Sequence, residues 1–429
     1  MRARDQRQEH TASYYAASVN EVTNYAVLEG AQSADVCVIG AGFTGVSAAL
    51  SLAEKGYSVA LVEANRVGWG ASGRNGGQII NGMSGLQKIQ KKYGDGVADM
   101  IQDLRWRGND IIRERVARYE IQCDLKDGFL EVAPKASQVA YFDEYAADRE
   151  KHNSGHKYEV WDRAKTCDML GTTAFHGGFV CYRDGHLHPL NLCIGEAQAA
   201  HALGVSIYEQ SPVTTIEHGP RARVRTAKGH IDADAVVIAG NAYSQLEPKY
   251  LSNLVYPAGS YIIATERLPD EIVESINRED LAVCDVNEVV DYFRLSADKR
   301  LLYGGACNYS GRDPSSIQSY ILPRMLRVYP QLRNVRIEYE WGGKIGIVLR
   351  RIPTVGRINQ NVYYCQGYSG HGVCATHVMG EVMADAVSGT MERYDLFAGM
   401  NHFRIPGTQW FGNQLIALGM LYYKLKDRL

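Results

Sequence analysis

Residues 35–45 read DVCVIGAGFTG. Val36–Ile39 form a short apolar run rich in β-branched residues, the texture of a strand buried on both faces. The run leads straight into Gly40-Ala41-Gly42-Phe43-Thr44-Gly45, a G-x-G-x-x-G spacing, and then into a helical stretch reaching about Lys55. Gly56 ends that helix, and SVALVE (58–63) reads as the next strand, which makes a βαβ unit. In this context each glycine has its own task. Gly40 permits the tight turn, Gly42 lets the backbone approach a pyrophosphate, and Gly45 lets the helix pack closely on the strand. The helix start at Phe43 and Thr44 presents free N–H groups and partial positive charge to phosphates. Glu63, followed by Ala64, stands 23 residues after Gly40 at the end of the second strand. A carboxylate there accepts hydrogen bonds from both ribose hydroxyls of an adenosine and repels a 2′-phosphate, so NADP is disfavoured. The competing reading is a tight strand-to-helix turn without a ligand.

The signature does not separate NAD from FAD. A second stretch, GWGASGRNGGQ (68–78), does. Its glycines at 68, 70, 73, 76 and 77 expose backbone amides beside Ser72, Arg74 and Asn75. A slack linker is more often Gly, Ser and Pro without Trp, Arg and Asn embedded in it. A segment of this kind wraps a pyrophosphate from the side opposite the helix and continues beneath a tricyclic ring.

The same nucleotide-domain texture returns twice. A helix near 189–203 is followed by strands near 205–217 and 222–227 and by AVVIAG (235–240). Later NVYYCQGYSGHG (361–372) runs from strand into glycine turn, with a helix to about Ser388. Between these lie amphipathic helices at Ala98–Tyr119 and Ser137–Glu150 around a short strand, FLEVA (129–133). A strand-rich segment follows from 255 to 307, with a helix near 317–329. The expected architecture is α/β: a Rossmann-like nucleotide domain (1–80, 175–250, 345–400) interleaved with an antiparallel-sheet α+β substrate domain (81–174, 251–344). A helical tail (401–429) completes it.

Composition excludes several classes. Lys and Arg total 46 against 48 Asp and Glu, which leaves no electrostatic footprint for nucleic acid or anionic lipid. No apolar run approaches the roughly 20 residues of a membrane span, and MRARDQRQEH at the N-terminus lacks the apolar core of a signal peptide. Nine scattered cysteines without CxxC argue against a disulfide framework or zinc site and for a reducing, cytoplasmic compartment. His186-x-His188 offers two metal-type ligands and no third, so no metal is expected. Twenty-seven Tyr against nine Phe suit walls around a polar ligand, although ordinary core and surface use covers most of them.

GAGFTG, LVEANRVGWGASGRNGGQ, AVVIAGNAYS and YCQGYSGHGV, in this order and spacing over about 30–400, resemble the D-amino-acid-oxidase-related flavoenzymes, which include glycine and sarcosine oxidases. SYYAAS near the N-terminus and the GWGASGRNGGQ loop most resemble the bacterial γ-glutamylputrescine oxidoreductase branch. The resemblance implies FAD as cofactor. Its pyrophosphate and ribityl chain would lie against Gly70 and Ser72-Gly73-Arg74-Asn75-Gly76-Gly77-Gln78. The backbone of Val213 would meet the adenine region, and Gly240 would close the second nucleotide strand. The Gly370-His371-Gly372 turn would bring a helix start to the flavin edge where reduced flavin carries negative charge, and a helix start stabilises anions.

The departures from the family pattern are informative. The family's W-x-G-x-R-P stretch matches Trp341-Gly342-Gly343-Lys344-Ile345-Gly346, with Ile345 at the carboxylate-binding arginine. The other two cation positions match Asn81 and Cys374. Where covalent-flavin relatives carry a cysteine stands Gly343, so FAD is expected to be noncovalent. A buried carboxylate without a partner costs several kcal/mol, so a primary amine on a plain chain fits better than an α-amino acid. The alternative is a slip of a residue or two, with Lys344 or Arg350 swinging in.

The implied reaction is hydride transfer from the amine-bearing carbon to flavin N5, followed by hydrolysis to aldehyde and ammonia, with molecular oxygen as acceptor and release of hydrogen peroxide. Deprotonating a primary amine costs about 4–5 kcal/mol at pH 7, and desolvation lowers that cost without a dedicated base. His371 is read first as structural and second as a proton-transfer group. Lys344 is either a charge near N5 or a solvated strand residue, and Tyr303 and Tyr368 are candidate wall residues. The competing functions are a dehydrogenase of the same fold passing electrons to a quinone or carrier, a glycine or D-amino-acid oxidase, and an FAD-binding subunit without turnover.

Overall fold

The computed structural model describes residues 8–151 and 156–426. Residues 1–7, which carry most of the polar N-terminal stretch, and residues 427–429 of the tail lie outside the described residues. Two sheets organise the chain. The first has eight strands, and its main path runs Thr354–Ile358, Val362–Gln366, Gly229–Ile238, Gly30–Ile39, Val59–Val62, Ser206–Tyr208. Along it Gly30–Ile39 pairs in parallel with both Val59–Val62 and Gly229–Ile238, and Gly229–Ile238 pairs in parallel with Val362–Gln366. Parallel strands need both faces covered. The helices Phe43–Glu54 and Val373–Val387 cover one face together, meeting so closely that a Cβ at Gly380 would lie 2.5 Å from Ser47, and Val224, Leu251, Leu254 and Val255 cluster with the strand residues of the other face.

The second sheet has nine strands, in the order Ile337–Ile347, Tyr256–Thr265, Leu301–Asn308, Asp291–Leu295, Ala282–Asp285, Lys126–Val132, Gly178–His186, Gln78–Ile79, with Tyr158–Trp161 paired beside Gly178–His186. It is antiparallel except where Ala282–Asp285 runs parallel to Lys126–Val132. One face packs on the helix Ile317–Val328 and the apolar cluster of Phe293, Leu301, Met325 and Tyr329. The chain crosses between the sheets repeatedly, so the interleaving expected from the sequence is observed.

Two local outcomes differ from the sequence reading. Gly178–His186, expected in the nucleotide unit, is a strand of the second sheet, as is Gln78–Ile79. The region 205–217 splits into Ser206–Tyr208 and Thr215–Glu217 because the intervening backbone turns to line the site. His186 and His188 are structural. His186 Nε2 lies 2.7 Å from the Asp280 carbonyl, and His188 Nδ1 accepts from Asn191 N and caps the helix Pro189–Ala202. No group of side chains able to hold a metal ion occurs among the described residues.

Behind the first sheet, four helices share a buried ionic knot. Arg115 from Ala98–Arg118 donates to Glu196 Oε1 (3.0 Å) and to the hydroxyls of Ser47 and Ser51, while His377 Nε2 meets Glu196 Oε2 (3.1 Å). Glu196 has no solvent exposure. Removing one partner of such a pair strands the other charge. Arg115→Met is therefore expected to lower unfolding stability by about 3–5 kcal/mol, with partial recovery in Arg115→Met/Glu196→Gln. Urea denaturation measures both, and a single variant as stable as the parent contradicts the assignment.

Candidate functional site

The site is a cavity of about 1,610 Å³ between the two sheets, larger than the roughly 300–1,000 Å³ of an ordinary small-ligand pocket. Its floor at one end is the strand-to-helix turn read first in the sequence. Gly40 has φ +104°, and a Cβ on Gly45 would lie 1.8 Å from the Gly40 carbonyl oxygen, so only glycine lets the helix begin there. Glu63 accepts hydrogen bonds from Ala41 N (2.8 Å) through Oε2 and from Asn65 N (2.8 Å) through Oε1, which fixes its carboxylate at the cavity wall. Burial raises its pKa, partly offset by these amide donors.

The glycine-rich stretch is ordered and folded against that turn. Ser72 Oγ accepts from the Phe43 amide (2.9 Å), and a Cβ on Gly42 would sit 2.9 Å from the same oxygen. The two glycine segments thus meet through this hydroxyl and through Gly68 N, which donates to the Ala41 carbonyl (2.8 Å). Asn75 braces the loop from within: its Nδ2 donates to the Ala71 and Ser72 carbonyls and its Oδ1 accepts from Gly77 N. Arg74 donates to the Trp69 carbonyl (2.8 Å) and the Gly342 carbonyl (3.3 Å), stacks 4.3 Å over the Trp69 ring, and is held below its ordinary pKa by burial. From the second sheet, Trp341 Nε1 donates to the Arg74 carbonyl (3.0 Å). The buried Arg294 donates to the Gly76 carbonyl (2.8 Å) and the Leu187 carbonyl (2.8 Å).

Most of the candidate contacts read from the sequence meet at this cavity. Gly40, Gly42, Phe43, Thr44, Glu63 and Ala64 line it from the first turn, and Gly70, Ser72, Arg74, Asn75, Gly76 and Gln78 from the loop. Val213, Gly240, Gly343, Tyr368, Gly370, His371 and Gly372 complete that set. Gly45, Gly73 and Gly77 stand behind the lining as spacers; a Cβ on Gly73 would meet the Gly68 carbonyl at 2.3 Å and one on Gly77 the Leu187 carbonyl at 2.1 Å. Tyr368 is buried on the wall, its hydroxyl 2.6 Å from Thr44 Oγ1. His371 opens onto the cavity, yet the walls around it lower its pKa, with Arg351 adding to the effect.

Two nominated side chains lie elsewhere. Tyr303 is fully buried in the apolar cluster of the second sheet, stacked on Phe293 at 5.4 Å, and outside the cavity lining. Lys344 turns away and pairs with Asp313 (3.2 Å) and the Gly311 carbonyl. Strand alternation explains the latter, since Gly343 and Ile345 line the cavity on either side of it.

The sequence reading also missed residues. Tyr292 packs its ring where a Cβ on Gly76 would be (2.8 Å), and its hydroxyl lies 3.2 Å from Ser260 Oγ. Across the sheet Tyr292 pairs with Cys284, and Cys284 with Glu131, so Ser260, Tyr292, Cys284 and Glu131 share the wall. Asp285 also lines it, pushed up to about 7 by burial and the nearby Asp291. Of the expected cation positions, Ile345 and Cys374 line the cavity uncharged, and Asn81 is bonded to Asp184 (2.9 and 2.6 Å). The wall is not free of cations, however: Arg351 lies on it, as does Arg74. Arg351 falls in no family motif and reaches the cavity from a tight turn, its N–H donating to the Val348 carbonyl.

Comparison with known proteins accounts for this arrangement. Residues 35–386 match the family described as FAD dependent oxidoreductase, DAO, and the chain belongs to that family. It is 43% identical over 98% of its length, and 99% of the relative's, to the γ-glutamylputrescine oxidoreductase of Escherichia coli (strain K12). It is 40% identical to a probable oxidoreductase, OrdL, of Haemophilus influenzae over 98% of each chain. Among solved structures, the fold matches glycine oxidase from Geobacillus kaustophilus with a TM-score of 0.71 at 20% identity, covering 88% of this chain and all of that one. The protein is thus an FAD-dependent enzyme. The cavity fits this cofactor: hydrogen-only positions at Gly42 and Gly76 leave both backbone segments open to a phosphate-linked ligand, and Gly343 offers no nucleophile for a covalent bond.

Two measurements follow. Ser72→Ala removes one hydrogen bond joining the glycine segments and is expected to weaken FAD binding to the apoprotein about 5- to 10-fold, read by flavin fluorescence titration; unchanged affinity contradicts the bridging role. Asp285 is protonated in the folded chain up to about pH 7 but only to about pH 4 when unfolded. Its contribution to stability is complete below pH 4 and lost as pH rises through 7. Asp285→Asn should flatten that part of the stability profile, and an unchanged slope counts against it.

Proposed function

We propose that the protein oxidises the primary amine of γ-glutamylputrescine, or of a related γ-glutamylated polyamine, to the aldehyde with release of ammonia, using molecular oxygen as acceptor and yielding hydrogen peroxide. The observation that carries this reading is the end-to-end relation to the Escherichia coli γ-glutamylputrescine oxidoreductase. The uncharged Ile345 and Cys374 agree with it, since neither offers a partner to a carboxylate.

Bound FAD supplies the two-electron acceptor for the C–H bond beside nitrogen. The chain does the rest. Phe43, Ser72, Asn75 and Gln78 hold the cofactor, and the start of the helix Val373–Val387 at Gly372 offers partial positive charge beside the turn that carries His371. Tyr368, Tyr292 and Ile345 enclose the amine and exclude water, which lowers its pKa and favours the neutral form that reacts. Asp285, titrating near 7, gives the wall a group able to take up the released proton. His371 contributes chiefly through the backbone of its turn, where its N–H donates to the Tyr368 carbonyl.

A second reading differs only in the acceptor. The helix Gln409–Lys426 exposes Trp410, Leu418 and Tyr422, an apolar face suited to a quinone or carrier partner.

The holoenzyme is assayed with γ-glutamylputrescine, putrescine, glycine and D-alanine, following hydrogen peroxide. We expect kcat/KM for γ-glutamylputrescine at least about 100-fold above the others, a difference of about 2.7 kcal/mol in transition-state binding. Activity confined to an amino acid contradicts the substrate class. Flavin reduced by the amine under nitrogen but reoxidised slowly in air selects the carrier reading.

A further inference from the structure

The cavity wall carries charges that the oxidation of an amine does not need. Arg351 is the clearest case. It follows the long strand Ile337–Ile347 and is held in a turn at φ +58°, a backbone state sparsely used by residues with a side chain. Its guanidinium acts on the Tyr309 hydroxyl, and its field reaches the Cys307 thiol and the His371 imidazole. The carboxylate of Glu288 acts on the same Tyr309 hydroxyl. Arg351, Tyr309 and Glu288 all line the cavity, and Glu288 is exposed, which places this corner at the rim. None of these residues belongs to the glycine loop at 68–78 or to the Gly40–Gly45 turn.

A cation, a phenol and an anion at the mouth of a cavity complement a free α-amino acid group: carboxylate against guanidinium, ammonium against carboxylate. An amino acid oxidised at its own α-carbon needs its carboxylate deep in the pocket, beside the reacting carbon. There the wall offers Ile345 and Cys374. A zwitterion recognised at the rim instead requires a ligand whose oxidisable amine lies a chain's length away. This inference rests on the function proposed above and gives that substrate's head group a binding site.

We infer that Arg351, with Tyr309 and Glu288, forms a head-group subsite at the cavity rim that binds the α-carboxylate and α-ammonium of a γ-glutamylated amine and so sets specificity against the free diamine. These are specificity residues, and the oxidation itself does not pass through them.

The test compares γ-glutamylputrescine with N-acetylputrescine, which has the same amine and amide but no head-group charges, in the FAD-loaded wild type and the variants Arg351→Met, Arg351→Lys and Glu288→Gln. For Arg351→Met the KM for γ-glutamylputrescine should rise about 10- to 100-fold, with kcat nearly unchanged. KM for N-acetylputrescine, or its inhibition constant where it is not turned over, should stay within about 2-fold. Arg351→Lys should fall between, and Glu288→Gln should show a smaller rise for the zwitterionic substrate alone. Perturbation of the flavin absorbance on ligand binding under nitrogen gives the same ratio without turnover. Equal losses for both ligands, or a fall in kcat at constant KM, overturn the subsite while leaving the proposed function standing. A wild type inert towards γ-glutamylputrescine overturns the proposed function and the subsite together. An Arg351→Met variant too unstable to assay leaves the decision to Arg351→Lys and Glu288→Gln, whose unchanged ratios reject the assignment.

Discussion

The helix Phe43–Glu54 begins where it does because Gly45 can lie against the Gly40 carbonyl, at a separation that would leave a Cβ 1.8 Å from that oxygen. The rest of the site depends on this approach. It turns the strand Gly30–Ile39 sharply into a helix whose first amides face the cavity, where partial positive charge can meet phosphate. Ser72 then takes one of those amides as its hydrogen-bond donor, which sets the glycine loop directly over the turn. Through the loop the order passes to the second sheet, because Trp341 and Arg294 grip the Arg74 and Gly76 carbonyls. A groove for one long cofactor therefore arises from segments about 300 residues apart in the chain, joined by hydrogen bonds between side chains and backbone groups.

The electrostatics divide along the same groove. Near the nucleotide turn the polar groups are backbone amides and Glu63, suited to ribose and phosphate. Farther along the wall becomes aromatic and apolar around Tyr292, Ile345 and Tyr368, the setting in which an amine sheds its charge most readily. At the rim charges reappear in Arg351 and Glu288. Backbone amides at the nucleotide turn, then aromatic and apolar side chains with Glu131 and Asp285 beside them, then charges at the rim thus follow one another along the cavity.

Much of this was legible in the sequence because the informative residues act locally. The Gly40–Gly45 turn, Glu63 at the strand end and the polar residues of the glycine loop gather at the cavity, since their placement is set by backbone geometry over a few positions. What escaped was set by pairing at long range. Gly178–His186 joins the second sheet by pairing with Lys126–Val132, which no local pattern announces. Lys344 lies in a family-like motif and Tyr303 in a strand-rich segment, yet strand alternation turned the first outward and core stacking claimed the second. Arg351 was overlooked for the converse reason: it belongs to no motif and reaches the cavity only because its turn takes an uncommon φ. Ile345 and Cys374 bring no charge to the wall, but Arg351 and Arg74 do, so the expectation of a pocket without cations does not hold for the cavity as a whole.

The central claim is that the two glycine segments form one groove and that this groove holds FAD. Crystallographic density for the protein with its copurified cofactor tests it most directly. The account predicts a single FAD with its pyrophosphate between the Gly40–Gly45 turn and Ser72, and its ring between the loop 72–78 and the Tyr368–Gly372 turn. A nicotinamide dinucleotide in the groove, or a flavin ring lying away from the glycine loop, would contradict it.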